Sequence, residues 1–396
     1  MNARDRVALN LSFTVTGATT VLLGAVLPHL SARHGLSDAQ AGRLFLAQFL
    51  CSTAGALLLG WAGRRWPPKH CLALSYLATG AGVMALGYFP AAWSLACVAL
   101  YGLGLGVCNP AANLLAGQAS PGRESAELNL LNMSWSLGAV LAPPLLSELL
   151  AHLAPGPVLA GLGALGIAAS LASASLAMPL PPPVPVDDEL SPPPRTARAA
   201  AWPAALFLFL YVGAESILSG WLPTHSYRNA GVALGTMGIP QAAFWAAILG
   251  GRLFASLRPD WLTPARWISH GVALALAGML VLLAAARMES VLAGAVLAGA
   301  GMAPLFPAAV AVFQRRAREA SPRLIGYVFA AGGCGGAVFP WLVGVVSTAA
   351  ASLRIALLIA FVSALGLLLA AQRLRPETAF SHCGGIPRER STAHDT

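Results

Sequence analysis

Charged residues are scarce in this sequence, and acidic residues are scarcest of all. Of 396 residues, 10% are charged, whereas a soluble domain carries about 25%. The chain contains 15 Asp and Glu residues against 24 Lys and Arg residues, and its mean hydropathy is +0.69. These values exclude a water-soluble globular protein. Because the short alternating segments of a membrane β-barrel are also missing, the sequence predicts an all-α membrane protein.

Motifs of soluble enzymes and metalloproteins are missing as well. The six cysteines form no CxxC or Cys/His spacing, which argues against a metal site and a disulfide framework. The sequence contains no Walker loop and no catalytic triad, so ATP-driven transport and hydrolysis are disfavoured. We therefore expect no cofactor, no metal ligands, no catalytic residues and no enzymatic activity. Since no basic stretch is interleaved with aromatic residues, nucleic acid is not an expected partner.

Apolar runs of about 20 residues recur along the whole chain, each long enough to cross a hydrocarbon core of roughly 30 Å. They predict twelve transmembrane helices. The first run is too long for the core of a signal peptide and no cleavage site follows it, so we expect it to be retained. The predicted spans are 9–31, 38–62, 70–89, 91–118, 126–152, 157–178, 203–228, 236–258, 265–286, 290–313, 322–347 and 352–373.

Basic residues are distributed unevenly between the two ends of these spans. On the side of the N-terminus lie 18 of the 24 Lys and Arg residues, four lie on the opposite side, and Arg43 and Arg252 lie within spans. Since loops rich in Lys and Arg stay in the cytoplasm, the sequence predicts cytoplasmic termini and an inner-membrane location. The net charge of +9 then reflects topology and contact with anionic lipid headgroups.

A charged, proline-rich stretch without apolar periodicity separates the spans into two sets of six. It predicts a six-helix bundle over residues 1–178, a cytoplasmic linker over 179–202, a second six-helix bundle over 203–373 and a cytoplasmic tail over 374–396. The two sets match at offsets of 195 to 197 residues, which predicts a parallel repeat about an axis normal to the membrane. The matched pairs are Gly17 and Gly213, Gly24 and Gly220, His29 and His225, Phe49 and Phe244, Gly55 and Gly250, Gly104 and Gly301, Gly138 and Gly335, and Pro143 and Pro340.

Two six-helix halves with cytoplasmic termini and a long central linker resemble the major facilitator superfamily. Spans 4, 5, 10 and 11 are rich in glycine and carry Pro110, Pro143, Pro307 and Pro340 at matching places, which suits halves that rock about a central site. A plain packing role for these small residues is the alternative. The resemblance implies secondary transport by alternating access. The loop after the second span, GWAGRRWPPKH, lacks the Asp of the family pattern, so the latch that this loop forms in the family is not implied.

The seventh and eighth spans, YVGAESILSGWL and FWAAILGGRLFA, resemble the fucose permease branch of that superfamily. The matching residues are Gly213, Ala214, Glu215, Trp221, Phe244, Trp245, Gly251 and Arg252. This resemblance implies transport of a sugar, typically driven by protons. Sugar permeases of the branch carry carboxylates in their first and fourth spans. This chain has threonines in the first span and Asn109 and Asn113 in the fourth, so coupling through those positions is not implied.

Glu215 is the one acid in the middle of a predicted span. It lies about 12 residues into the seventh span, or roughly 18 Å along a helix, close to the bilayer midplane. An ionised side chain at that depth costs at least about 2.5–3.5 kcal/mol, so we expect it to face a cavity or a partner. Either Glu215 binds the solute or carries a proton, or it forms an ion pair with Arg252. Arg252 has the alternative of reaching the cytoplasmic surface.

Other polar and aromatic residues fall at a similar depth. Amides that both donate and accept hydrogen bonds, with aromatic rings against the apolar face of a sugar ring, are typical of sugar sites. The alternative is that each amide holds neighbouring helices together. Thr19 is the repeat equivalent of Glu215 and is expected to line the same cavity from the other half. The predicted solute-binding residues are Glu215, Asn109, Asn113, Asn132, Gln48, Trp135, Trp245 and Thr19, with Glu215 and Arg252 as coupling residues.

The sequence thus predicts a monomeric secondary active transporter that moves a small polar solute, with a sugar favoured and proton coupling left open. An exporter of drugs or metabolites with the same fold is the alternative within transport. A non-transporting membrane sensor is the alternative outside it. A membrane enzyme is disfavoured, because its polar residues should cluster near one interface of the membrane.

Overall fold

The computed structural model describes residues 1–63, 65–118, 122–177, 195–258, 261–316 and 322–374. Within these ranges the chain is helical and contains no strand, which confirms the all-α prediction. A short 3-10 helix, Ala91–Trp93, leads into α5. The α-helices are α1 (Ala3–Thr20), α2 (Leu22–His34), α3 (Asp38–Ala62), α4 (Pro68–Tyr88), α5 (Ser94–Gln118), α6 (Glu124–His152), α7 (Pro155–Ala174), α8 (Arg195–Ala230), α9 (Ile239–Leu257), α10 (Pro264–Ala284), α11 (Met288–Met302), α12 (Leu305–Arg316), α13 (Pro322–Ala350) and α14 (Leu353–Leu374).

Most of these helices are long and apolar enough to cross a membrane. Ten spans in the described residues meet that requirement, or up to eleven when the bent pair of α1 and α2 counts as one. Helices α11 and α12 together form the span Met288–Arg315. The remaining predicted span is α9, which carries the polar residues Gln241 and Arg252. Each of the twelve predicted spans therefore corresponds to a helix or to a pair of consecutive helices.

The first predicted span is broken near its middle. Helices α1 and α2 meet at Val21 and are bent by 43° relative to each other. Two threonine hydroxyls donate back to carbonyls of the preceding turn, Thr19 to Val15 at 2.8 Å and Thr20 to Thr16 at 2.7 Å. Hydroxyls that bond in this way bend helices. The break therefore follows from the local sequence, and it places the end of α1 at the level of the central cavity.

The seventh span starts earlier than its predicted first residue, 203. Helix α8 begins at Arg195 and runs through Pro203. The segment RTARAAAW is rich in alanine, the strongest helix former, which explains the earlier start. Part of the predicted linker over 179–202 is thus helical. Residues 178–194 and most of the predicted tail over 374–396 lie outside the described residues.

Small residues bring the first six spans close to the last six. Helix α3 packs along α13, where a Cβ added at Gly42 would lie 3.1 Å from the Cα of Trp341. Helix α2 packs against α8, where a Cβ at Gly24 would lie 3.2 Å from the Cα of Gly220. Such close approach of backbones is the usual way in which helices associate inside a membrane. Of the glycines at these two crossings, Gly24 and Gly220 also line the central cavity.

Candidate functional site

A cavity of about 140 Å³ lies between the two sets of helices. Residues from α1, α2, α3 and α6 line one side, and residues from α8 and α9 line the other. Both halves of the chain therefore contribute walls to a single central space. The lining residues are Thr20, Val21, Gly24, Phe45, Gln48, Phe49, Trp135, Val212, Glu215, Ser216, Ser219, Gly220 and Trp245.

Glu215 borders this cavity and also contacts two neighbours in its own half. The hydroxyl of Tyr211, one helical turn earlier, donates to Glu215 Oε1 at 2.7 Å. The Arg252 guanidinium approaches the same oxygen at 3.9 Å from Nη2. That separation is long compared with about 2.7–2.9 Å for a charge-assisted hydrogen bond. The two interpretations of Glu215 are thus compatible, because it faces the cavity and stands beside a loosely held cation.

The second oxygen of this carboxylate remains available. Glu215 Oε2 makes no hydrogen bond to any residue that the structure describes. The side chain of Glu215 is 15% exposed, and that of Arg252 is 39% exposed. Arg252 Nε is itself buried and has no hydrogen-bond partner among the described residues. The pair therefore retains capacity to bind a further polar group.

Two tryptophans meet across the cavity, one from each half. The rings of Trp135 and Trp245 lie 5.2 Å apart between centroids, in an edge-to-face arrangement with an interplanar angle of 77°. Trp245 Nε1 donates to Ser219 Oγ at 3.1 Å, which fixes the orientation of its ring. Phe244 packs against Trp245 on the side of α9 at 5.6 Å. The site thus has an oriented aromatic wall beside its carboxylate.

Amide side chains link the cavity to the break between α1 and α2. Gln48 Nε2 donates to the carbonyl of Thr20 at 3.0 Å, and its own carbonyl oxygen accepts no hydrogen bond from the described residues. Gln241 Nε2 donates to the carbonyl of Val21 at 3.1 Å, across the boundary between the halves. Gln241 Oε1 is buried and has no partner in the described part of the chain. The broken helix therefore exposes carbonyls that residues of both halves bind.

Four of the predicted solute-binding residues come together at the cavity, namely Gln48, Trp135, Glu215 and Trp245. Thr19, which was expected to line the same cavity as Glu215 from the other half, is not among the residues that line this cavity, and its role in solute binding stays a prediction. The Thr19 hydroxyl is buried within α1, and the next residue, Thr20, takes the cavity position. Consecutive residues of a helix point about 100° apart, so an error of one residue moves a side chain to another face.

The three predicted asparagines also lie away from the cavity lining. Asn109 and Asn113 on α5 donate to carbonyls one turn earlier, those of Leu105 and Asn109. Asn132 on α6 is exposed and donates to the carbonyl of Leu128 at 2.8 Å. The amide nitrogens of all three bond within their own helices, and none of the three residues is among those that line this cavity. A role for them in solute binding stays a prediction.

Sequence reasoning missed Tyr211, Ser216, Ser219 and Gln241. Three of them stand in the same segment as Glu215, at spacings of one turn or less. A search for hydroxyls at one-turn spacing from the buried acid finds Tyr211 and Ser219 on the sequence alone. Gln241 offers no such signal, because its partner, Val21, is 220 residues away.

The two halves are joined at the end of the molecule opposite the chain termini. Asp38, at the start of α3, accepts two hydrogen bonds from Nη1 of Arg228 at 2.8 and 2.9 Å, and one from Ser347 Oγ at 2.6 Å. The backbone N–H of Ala39 donates to Thr348 Oγ1 at 2.8 Å. Among the described residues, the hydrogen bonds between halves lie at this end or at the level of the cavity. We call Asp38, Arg228, Ser347 and Thr348 the far-end cluster.

A family model described as Major Facilitator Superfamily matches residues 9–287, more than two thirds of the sequence. The chain belongs to the Major Facilitator Superfamily. Solved transporters of this superfamily's fold superimpose over nearly the whole chain, and the predicted major facilitator architecture is thereby confirmed. No curated protein sequence matches the chain.

Three solved structures illustrate the similarity. A bacterial homologue of the human lysosomal transporter Spinster, in an inward-facing and occupied conformation, is 17% identical with a TM-score of 0.73 over 93% of this chain and 95% of that one. A POT family transporter bound to a thioalcohol-conjugated peptide is 13% identical, with a TM-score of 0.76 over 94% and 97%. A point mutant of the nucleoside transporter NupG is 14% identical, with a TM-score of 0.72 over 94% and 98%.

At 13 to 17% identity, these similarities establish the fold alone. The family match covers the superfamily as a whole, so the resemblance to the fucose permease branch stays a prediction. Membership of the superfamily supports a multi-pass membrane transporter, and it leaves the solute of this member open.

Proposed function

We propose that this protein is a secondary active transporter that moves a small polar solute, with a sugar favoured, by alternating access. The observation that carries the proposal is the central cavity, which is walled by both halves and contains a carboxylate beside a pair of tryptophans. A buried ionisable residue at the interface between the two repeats is typical of transporter solute sites.

The lining supplies the groups that a sugar requires. The edge-to-face pair of Trp135 and Trp245 offers an apolar ring surface against which one face of a sugar ring packs. The free oxygens of Gln48 and Glu215 accept hydrogen bonds from hydroxyl groups, and both residues border the cavity. A solute that engages these two oxygens contacts both halves at once. Such a solute stabilises the state in which the halves close around it.

Glu215 and Arg252 are the proposed coupling pair. A proton on Glu215 removes the charge that holds Arg252 at 3.9 Å, so protonation and solute binding act on the same loosely bound cation. Tyr211 keeps the carboxylate in place in either state through its hydroxyl. We propose proton coupling of transport from this arrangement. If pH has no effect on the transport rate, the protein is a uniporter.

The uneven distribution of Lys and Arg residues between the two sides of the membrane supports the proposed orientation of the chain. With both termini in the cytoplasm, the far-end cluster lies at the external surface of the inner membrane. The structure then corresponds to a state closed toward the outside. We propose the same division of the chain as the sequence predicts, two bundles over 1–178 and 203–373 joined by a linker, acting as a monomer.

An exporter of apolar compounds is the second candidate, because much of the cavity wall is apolar. Val21, Phe45, Phe49 and Val212 line it together with the polar groups. Export and uptake are separated by measuring both labelled hexose uptake and dye efflux in the same proteoliposomes. A protein that binds a sugar but moves none is a sensor built on the transporter fold.

The test of the proposed function is hexose uptake by reconstituted protein, comparing the wild type with Glu215→Gln. The substitution preserves shape and hydrogen bonding but removes charge and titration, so we expect uptake to fall at least tenfold and to lose its pH dependence. Glu148→Gln is the matched control, since Glu148 is exposed and pairs with His152 outside the cavity. Unchanged uptake by Glu215→Gln with unchanged pH dependence overturns the proposed role.

A further inference from the structure

A second cavity, larger than the central one, opens on the outer surface of the first half. It measures about 390 Å³ and lies between the end of α3, the start of α4 and the middle of α5. We call it the lateral groove. Its lining residues are Leu58, Leu59, Trp61, Ala62, Arg65, Trp66, Cys71, Leu74, Ser75, Ala78, Leu103, Gly104 and Val107.

The body of the lateral groove is apolar. Its one buried hydroxyl, that of Ser75, already donates to the carbonyl of Leu72 at 2.7 Å. Small residues, Ala78 and Gly104, form part of the lining and leave the space that the larger side chains surround. A polar solute finds no free hydrogen-bonding group inside, whereas a hydrocarbon chain fits the chemistry of the walls.

The mouth of the groove is different, because it carries a cation, Arg65. The Arg65 guanidinium lies 4.7 Å from the centre of the Trp61 ring and forms no ion pair with any described residue. Trp61 and Trp66 are both more than half exposed, and neither indole N–H has a hydrogen-bond partner in the described ranges. Three donors thus surround one opening, and an anion is the complementary ligand.

The mouth of the groove lies at the depth of lipid headgroups, and its body lies at the depth of an acyl chain. Arg65 and Trp66 lie between α3 and α4, on the side of the chain termini, where tryptophans and basic residues meet lipid headgroups. From Pro68 to Ala78 helix α4 rises roughly 15 Å, which is half the thickness of a hydrocarbon core. The rim residues Leu58 and Leu74 are exposed on the outside of the bundle. A chain in the groove therefore lies parallel to α4 within one leaflet.

We propose that the lateral groove is a binding site for an anionic phospholipid, with one acyl chain between α3, α4 and α5 and the phosphate against Arg65 and the two indoles. This site is separate from the central cavity and does not depend on the transported solute. The charge of Arg65 selects an anionic headgroup over a zwitterionic one. Burial of the methylene groups of the acyl chain provides most of the affinity, and the headgroup provides the selectivity.

The corresponding place in the second half is built differently. At the end of α9 and the start of α10, the aromatic rings of Phe254, Trp261 and Trp267 pack against one another at 5.2 to 6.4 Å between centroids. At the equivalent place in the first half, Trp61 and Trp66 bound an open groove instead. Arg266, which is exposed at the start of α10, therefore offers a matched basic residue beside this packed aromatic cluster.

The test uses purified, delipidated protein and two lipids with identical chains, palmitoyl-oleoyl phosphatidylglycerol and palmitoyl-oleoyl phosphatidylcholine, with retention measured by native mass spectrometry. We expect preferential retention of phosphatidylglycerol. Arg65→Gln should lower its affinity about fivefold, the effect of one basic residue at an anionic surface, and leave phosphatidylcholine unchanged. Arg266→Gln should change neither lipid.

A second pair of variants tests the acyl-chain position. Ala78→Phe should fill the groove and remove binding of both lipids, whereas Ala54→Phe, at an exposed position outside the lining, should not. In the wild type, phosphatidylglycerol with a photoactivatable group in its acyl chain should cross-link to the segments 58–78 and 103–107. Equal retention of both lipids with no effect of Arg65→Gln overturns the proposal. Cross-links spread evenly around the bundle also overturn it.

Discussion

The far-end cluster makes a quantitative prediction about the balance between the two states of the transporter. Asp38 accepts three hydrogen bonds there, two from Arg228 and one from Ser347, and all three cross between the halves. Asp38→Asn keeps an oxygen that still accepts from Ser347, but it removes the negative charge that attracts Arg228. The substitution therefore weakens closure of this end without adding or deleting volume.

The size of the effect follows from the exposure of the two side chains. An exposed ion pair contributes about 0.2–1 kcal/mol, and breaking a fully buried pair costs about 3–5 kcal/mol. The Asp38 side chain is 11% exposed, but that of Arg228 is 39% exposed, so solvent screens part of the attraction. We expect a loss of about 1–2 kcal/mol. This loss shifts the equilibrium between closed and open far ends roughly five- to thirtyfold.

Thiol labelling measures this shift directly. In a variant without native cysteines, Ser216→Cys places one thiol in the central cavity, and a membrane-impermeant reagent is applied from either side of oriented vesicles. Asp38→Asn should speed labelling from the side opposite the termini by roughly five- to thirtyfold. The exchanged pair, Asp38→Arg with Arg228→Asp, should return it toward the parent rate. If Asp38→Asn labels at the parent rate, the cluster does not hold this end closed.

Three further predictions concern the site, the interface and the division of the chain. Trp245→Ala should weaken hexose binding roughly tenfold in isothermal titration. Trp245→Phe should restore most of the binding, because an aromatic ring rather than the indole N–H covers the sugar. Equal affinities of the alanine variant and the wild type would contradict this prediction. Gly24→Ala should lower the Tm by several degrees, since the added Cβ meets the backbone of Ser219 and Gly220. In the control Gly60→Ala, the added Cβ meets nothing within 4 Å, so the Tm should not change. If the two variants have the same Tm, α2 is not tightly packed on α8. When the chain is cut between residues 181 and 194 and the two halves are co-expressed, they should assemble and transport. The segment that is cut has few apolar residues and can bury little apolar area. If neither half reaches the membrane, the segment is needed for the structure.

The sequence alone determined that the protein lies in a lipid bilayer, how many spans it has and that it contains an internal repeat. A bilayer requires about 20 apolar residues per crossing, and this requirement is local, so it can be read from each run separately. The depth of Glu215 follows in the same way, because depth depends on distance along one helix. Gln48, Trp135 and Trp245 were found for the same reason, as polar or aromatic residues near the midplane.

Only the tertiary structure decided which face of each helix meets which neighbour. In a membrane protein the lipid-facing and the buried faces are both apolar, so the hydrophobic pattern carries little information about rotation. That is why Thr20 rather than Thr19 reaches the cavity, and why the asparagines of α5 and α6 lie outside it. Gln241 and the far-end cluster depend on pairs about 190 to 310 residues apart, which packing alone brings together.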